Sequence, residues 1–406
     1  MRAYRRHVTV RAYSSDQPPA AGRPLRELFA DRYSPVRTVD LPLLGAAVAL
    51  TILGTLLVYS ATRNRTDLTG GDPEFFFLRH TLNGAIGLGL ALLLVWLGHR
   101  RLRDAVPVLY LSSIVLSLAV LSPLGSSING SRSWIQLGGG FAFQPSELVK
   151  IGVILAMATV LSAHLESDRL ERPGVRTVLQ ALTLAAVPSV LVLLAPDVGQ
   201  TMVIAAIALG ILLAAGTGRA WLLGLAGVGV ATGVAVWQLG VLDEYQVNRF
   251  AAFANPSLDP AGVGYNTNQA RITIGAGGLT GEGLFNGGQT TGQFVPEQHT
   301  DFIFTVAGEE LGFVGSGGII ALLGLVLWRA CRIAARASDL YGTLTAAGIV
   351  VWLAFQTFQN IGMALGIMPV TGVPLPFLSY GGSSMFAVWA AVGLLLAIGV
   401  RSRERL

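Results

Sequence analysis

Phe294-Val295-Pro296-Glu297-Gln298-His299-Thr300-Asp301-Phe302-Ile303-Phe304, running on through Thr305–Gly315, closes a long polar, glycine-rich segment and opens an apolar run. This is the pattern of a water-facing loop entering a membrane helix. Glu297, His299 and Asp301 alternate, so an extended backbone would turn all three the same way. A carboxylate at such a boundary is placed to act as a base at the bilayer surface. The plainer alternative is that Thr300 or Asp301 caps the helix that follows.

Outward from this junction the same transition recurs along the chain. Of 406 residues, 52% are apolar and 13% are charged. Repeated apolar windows of about 20 residues are long enough to cross a hydrocarbon core as helices. The alternating-period strands of an outer-membrane barrel are not seen. The fold class is an all-α polytopic membrane protein. Its expected spans run at about 40–61, 79–97, 105–121, 145–161, 177–194, 198–215, 220–241, 302–328, 340–365 and 385–400, ten transmembrane helices in all.

Arginines cluster at the N-terminus, after spans two, four, six and eight, and at the C-terminus, all on one side of the bilayer. The positive-inside tendency makes that side cytoplasmic and puts both termini there. The formal charge of +5 is explained by these loops and calls for no nucleic-acid partner. Residues 1–38, broken by Pro18, Pro19 and Pro24, read as a disordered cytoplasmic tail or as an arm lying on anionic membrane lipids. Residues 39–401 form one transmembrane domain with a large outer segment at about 242–301, and 402–406 a short cytoplasmic tail. Cys331, the single cysteine, can form no internal disulfide.

Several polar groups are out of place in such a chain. Span four opens Gln144-Pro145-Ser146-Glu147-Leu148-Val149-Lys150. Proline and glutamate suit a helix N-terminus, whereas Lys150, the only lysine present, does not. Glu147 and Lys150, three apart, pair on one face, either as a structural ion pair or within a polar substrate site. Asp197 lies at similar depth and either joins them or caps a turn. The glycines of Gly275–Gly283 are not a phosphate loop, because no Gly-Lys-Ser/Thr follows. They imply tight turns and close backbone approach, to a ligand or to the helices below. Arg249 and Arg271 are cations available for phosphate, or simply solvated. Glu309 and Glu310, two turns into span eight, need partners: one in a polar cavity, the other on a neighbouring helix. Pro369-Val370-Thr371-Gly372-Val373-Pro374-Leu375-Pro376-Phe377 leads into Ser379-Tyr380-Gly381-Gly382-Ser383-Ser384. Its prolines fix an extended path that must be covered by protein or face water. No HExxH motif or Gly-x-Ser-x-Gly elbow is present.

Together these stretches resemble the SEDS family of cell-wall polymerases. The resemblance is carried by Trp134-Ile135, Gln144 through Lys150, Pro196-Asp197-Val198-Gly199, Asp259-Pro260 with Gly264-Tyr265, Gly275 through Gly283, Pro296 through Gly312, and Pro369 through Ser384. It implies a GT-C-like fold of ten helices with both termini inside, and polymerisation of lipid II, the undecaprenyl-pyrophosphate disaccharide pentapeptide, outside the membrane. The family's essential aspartate falls on Asp301, as general base. Implied substrate-binding residues are Arg79, Trp134, Glu147, Lys150, Asp197, Arg249, Gln269, Arg271, His299, Thr300, Ser379 and Tyr380. A divalent cation, Mg2+ or Mn2+, is a possible cofactor, and a class B penicillin-binding protein, the crosslinking transpeptidase, the expected protein partner. Ser133, where a basic residue often precedes the loop tryptophan, and His80, where glutamine is frequent, depart from the pattern. The Pro-Glu-Gln-His-Thr-Asp wording leans toward the elongation branch rather than the division branch. A lipid II flippase and a non-catalytic scaffold for the transpeptidase are the rival readings.

Overall fold

The computed structural model describes residues 39–128, 131–138, 141–167, 172–238 and 263–404. The N-terminal tail, Arg249 and Asp259-Pro260 lie outside the described residues. Among the described residues ten apolar helices appear: α1 (Leu41–Thr62), α2 (Phe75–Leu97), α3 (His99–Leu121), α4 (Pro145–Ser167), α5 (Val175–Leu194), α6 (Val198–Ala214), α7 (Arg219–Gln238), then, past a shorter helix α8 (Val263–Ala276), α9 (Ile303–Arg336), α10 (Leu340–Leu365) and α11 (Gly382–Glu404). Eight are long and apolar enough to cross a membrane, while α6 and residues 219–235 of α7 are the two shorter apolar stretches. The chain is a multi-pass membrane protein.

Local chemistry sets the helix ends. Asp40, Asp197 and Asp339 each accept a backbone N–H of the first turn, capping α1, α6 and α10. Gly366 ends α10 in the left-handed conformation. The start of α1, the α2–α3 junction and the end of α11 line one cavity with Arg101 and Arg401, so both described ends lie on the arginine side. There Arg329 reaches back from α9 to Asp40 through bonds of 2.9 and 3.2 Å.

α11 is the most enclosed helix, and α2 packs along it. A Cβ on Gly87 would meet Trp389 at 2.6 Å, and one on Gly393 would meet Ala91 at 2.7 Å. Small residues that let backbones close in are the usual membrane packing device. α10 packs on α6 and α9, and α4 on α3 and α10.

Three features depart from the sequence expectation. The loop after span three folds into an antiparallel sheet of β1 (Gly125–Ile128), β2 (Ser131–Gly138) and β3 (Phe141–Phe143), in the order β1-β2-β3. The outer segment contains the 14-residue α8. Most consequential, α9 is not continuous. At Gly312 (φ 64°, ψ −166°) the helix breaks and the Gly277–Gly283 loop enters the gap. Phe313 N and Val314 N, freed from Glu309 and Glu310, donate instead to Gly278 O (2.9 Å) and Leu279 O (3.1 Å). The vacated carbonyls of Glu309 and Glu310 accept from Glu282 N and Gly283 N, both at 3.0 Å. Two helical bonds give way to four loop–helix bonds, so these four helix groups stay paired, as a low-dielectric setting requires. Only glycine permits this approach: a Cβ on Gly277 would lie 2.0 Å from Gly308 O, and one on Gly281 2.2 Å from Glu310 O. The glycine-rich motif is therefore a close-packing device against a helix.

Candidate active site

Residues 369–381 form a re-entrant path covered by protein. Val373, Leu375, Phe377, Leu378 and Ser379 are all buried. A Cβ on Gly54 of α1 would sit 2.6 Å from Leu378 Cα, and one on Gly199 of α6 would sit 2.7 Å from Thr371 O. Three side-chain amides on one face of α10 hold the path. Gln356 donates to Pro374 O (2.7 Å), Gln359 to Thr371 Oγ1 (2.9 Å) and Asn360 to Val373 O (2.8 Å). Ser379 closes it, its Oγ accepting from Leu375 N at 2.8 Å.

Over this platform sits the Pro296–Phe302 turn. The extended reading of Glu297, His299 and Asp301 is corrected here. Glu297 O accepts from Thr300 N (3.3 Å), Asp301 N (3.0 Å) and Phe302 N (3.2 Å), which curls the chain into a tight turn. Glu297 takes φ 49° to do so, a left-handed conformation that costs a non-glycine residue about 1–2 kcal/mol. The capping alternative also falls away, because Phe302 occupies the N-cap of α9 without a side-chain bond. Asn360 ties turn to platform, its second amide hydrogen donating to Asp301 O at 2.8 Å, and Tyr380 N donates to His299 O at 2.9 Å. Asp301 stays half-exposed. One carboxylate oxygen would lie 3.3 Å from a Cβ on Gly372, whose φ of 70° and bare Cα leave room for it.

An aromatic and basic wall adjoins the turn. Phe76 stacks edge-on against His299 (5.1 Å) and Tyr380 (4.7 Å). Arg79 bonds to Tyr380 and lies 4.1 Å from the Phe75 ring centre. Burial lowers the His299 pKa, with Glu297 opposing and the Arg65 charge adding to the effect. Burial likewise raises the Tyr380 hydroxyl against the Arg79 contact. Arg65, paired with Asp67 at 3.0 Å, is thus a second cation beside the turn that the sequence did not single out.

The Lys150 group forms a second polar centre. Lys150 is wholly buried, donating to Glu147 (2.8 Å) and Gln356 (2.9 Å) with Nζ 4.7 Å from the Trp352 ring centre. Gln200 also donates to Glu147 (3.1 Å), and Gln144 to Asp197 (3.0 Å). Burial pushes the Asp197 carboxyl up to about 6. Gln356 serves both centres, linking Lys150 to the platform beneath Asp301.

The remaining residues fall elsewhere. Trp134 is on β2, in the sheet that packs on α3, α4 and α11. Gln269 is half-buried on α8. Arg271, also on α8, rests its stem on Gly366 at the C-terminus of α10, a favourable place for a cation. Of the two span-eight carboxylates, Glu310 accepts from Ser60 of α1, and Glu309 from the segment at 289–290. An apolar cavity of about 210 Å3 opens between α2, α3, α4 and α11, with Glu147 at its wall. Among the described residues no three His, Cys, Asp or Glu side chains gather together.

This geometry can be set beside known proteins. The family model described as cell cycle protein, FtsW/RodA/SpoVE, matches residues 41–404. A probable peptidoglycan glycosyltransferase FtsW from Trichlorobacter lovleyi is 38% identical over 88% of this chain and 92% of its own. The Escherichia coli K12 peptidoglycan glycosyltransferase MrdB is 37% identical over 86% and 92%. A solved chain from a peptidoglycan synthase complex, described as coordinating polymerization and crosslinking, superposes with a TM-score of 0.71 at 34% identity, covering 90% of this chain and 98% of that one. The match over residues 41–404 and these relatives show that the chain belongs to the FtsW/RodA/SpoVE family of peptidoglycan glycosyltransferases.

Proposed function

We propose that the chain polymerises lipid II into glycan strands at the outer face of the bacterial cytoplasmic membrane, with Asp301 as general base. The observation that carries this is the seating of Asp301: a half-exposed carboxylate whose backbone is pinned by Asn360 to a buried platform, in a turn whose His299 carbonyl accepts from Tyr380 N, with Arg79 bonded to the Tyr380 side chain. The 4-hydroxyl oxygen of the acceptor sugar attacks the anomeric carbon of the donor. The bond from that carbon to the pyrophosphate breaks with inversion, and the hydroxyl proton passes to Asp301. Charge developing on the departing lipid pyrophosphate calls for cations, and Arg79 and Arg65 are the candidates beside the turn. A Mg2+ or Mn2+ ion, if used, would come with the pyrophosphate, since magnesium needs few protein ligands when phosphates supply the rest. The apolar cavity beside Glu147 suits part of a prenyl chain.

Arginines at the opposite end support a cytoplasmic placement of both termini. The synthase-complex neighbour supports a class B penicillin-binding protein as partner. The Pro-Glu-Gln-His-Thr-Asp wording supports a role in elongation rather than division, checked by whether depletion rounds the cells or blocks septation.

The test is strand formation from purified lipid II by the detergent-solubilised protein with its transpeptidase, with and without EDTA. Long strands from wild type and none from folded Asp301→Asn are expected. Equal polymerisation by both removes Asp301 from the mechanism.

A further inference from the structure

Glu309 is a carboxylate within a membrane helix, fully buried, and among the described residues its bonds go to the 289–290 segment and to no basic side chain. Such a group is expensive unless something depends on it. Its oxygens accept from Gln289 N (2.6 Å), Thr290 N (2.9 Å) and Thr290 Oγ1 (2.6 Å). Thr290 Oγ1 in turn accepts from Gln298 Nε2 at 3.1 Å, and the same amide donates to Thr305 Oγ1, also at 3.1 Å. Thr305 Oγ1 donates to Phe302 O at 2.7 Å. Thr290, Gln298 and Thr305 are all buried.

The path therefore runs from the break in α9, through the 289–290 segment, into the turn that carries Asp301. Gln298 sits between Glu297, whose carbonyl gathers three N–H groups, and His299, whose carbonyl takes Tyr380 N. Fixing the Gln298 side chain fixes the peptide planes on both sides of it. Each donor along Gln298–Thr290–Glu309 points toward the carboxylate, the arrangement in which successive hydrogen bonds strengthen one another. Glu297, left-handed at φ 49°, is the kind of backbone that persists only where its surroundings over-determine it.

We propose that Glu309 is a positioning residue: through Thr290 and Gln298 it holds the Glu297–Asp301 turn in the geometry that presents the Asp301 carboxylate to the acceptor sugar. This rests on the reading of Asp301 as base. Glu309 touches no substrate and acts only through the turn.

The experiment uses full-length protein with its transpeptidase, lipid II as substrate, and steady-state rates with thermal midpoints for each variant. Thr290→Val keeps the volume and removes the linking hydroxyl, while Thr290→Ser keeps the hydroxyl and removes a methyl. Expected is a fall in kcat of about 10- to 100-fold for Thr290→Val with KM for lipid II unchanged, the range seen when a reacting group is slightly misplaced. Thr290→Ser should stay within about threefold of wild type, on the same geometric grounds. Glu309→Gln should match Thr290→Val, and the double variant should be no slower than the slower single, because both break one chain. If Thr290 merely packs, the order reverses: Thr290→Ser suffers and Thr290→Val does not, which overturns the proposal. Additive losses in the double variant overturn it as well. Asp301→Asn is run alongside. If it polymerises, the reading of Asp301 fails and this inference with it. If it is inert while Thr290→Val turns over normally, only the inference fails.

Discussion

Asn360→Leu tests the seam between turn and platform. The Asn360 amide nitrogen spends both hydrogens on backbone carbonyls, Asp301 O and Val373 O, each at 2.8 Å, and the side chain is fully buried. Leucine has nearly the same volume and no donor. Each stranded buried acceptor costs about 1–3 kcal/mol, so the seam loses about 2–6 kcal/mol. On the platform side, Gln356 and Gln359 still hold Pro374 and Thr371. The damage therefore concentrates on the turn. Even about 2 kcal/mol acting there shifts the balance between seated and unseated turn about 30-fold. The assay is the rate of strand formation from lipid II, with the thermal midpoint in detergent. The rate should fall by about 30-fold or more, and the midpoint should drop. Asn360→Asp should be worse, since a carboxylate would face two carbonyl oxygens. A wild-type rate and midpoint for Asn360→Leu would show that the bridge holds nothing.

Three further outcomes follow from the packing. Lys150→Met strands the buried Glu147 carboxylate and should cost about 3–5 kcal/mol, whereas Lys150→Met combined with Glu147→Gln should regain part of the loss in thermal unfolding. Gly281→Ala puts a Cβ 2.2 Å from Glu310 O at a φ of 82° and should lower the midpoint sharply, while Gly275→Ala, with open space around it, should not. Stability should also depend on pH through Asp197. Its folded pKa of about 6 exceeds the ordinary 3.8, so the native state binds more protons than the unfolded state between these values. Stability then declines as pH rises from 3.8 through about 6 and levels off above. Asp197→Asn should flatten that slope in chemical unfolding measured across pH.

The helices were legible in the sequence because membrane spans write their length in plain apolar runs. The Lys150–Glu147 pairing was legible from spacing alone. What escaped has physical causes. The face α8 buries consists of Gly264, Thr267, Ala270 and Thr273, small or polar residues that leave no apolar stripe to read. The sheet was signalled by Asn129-Gly130, a favoured two-residue hairpin pair, lying between short segments with little hydrophobic alternation. The break in α9 was hidden because Gly312 is tolerated in a continuous membrane helix as readily as in a broken one. Gln356, Gln359 and Asn360 recur at helical spacing inside an apolar run, and that pattern of buried amides marked the platform face of α10. The alternation of Glu297, His299 and Asp301 misled, since the Glu297 carbonyl curls the chain before an extended backbone can form.

The most direct measurement pairs lipid II affinity with turnover for Asp301→Asn. A group that only takes a proton in the transition state can lose its basicity without disturbing ground-state binding. The account predicts wild-type affinity for lipid II and no detectable glycosidic bond formation. Turnover at the wild-type rate would contradict it, and lost turnover that merely follows lost affinity would make Asp301 a binding residue instead of a base.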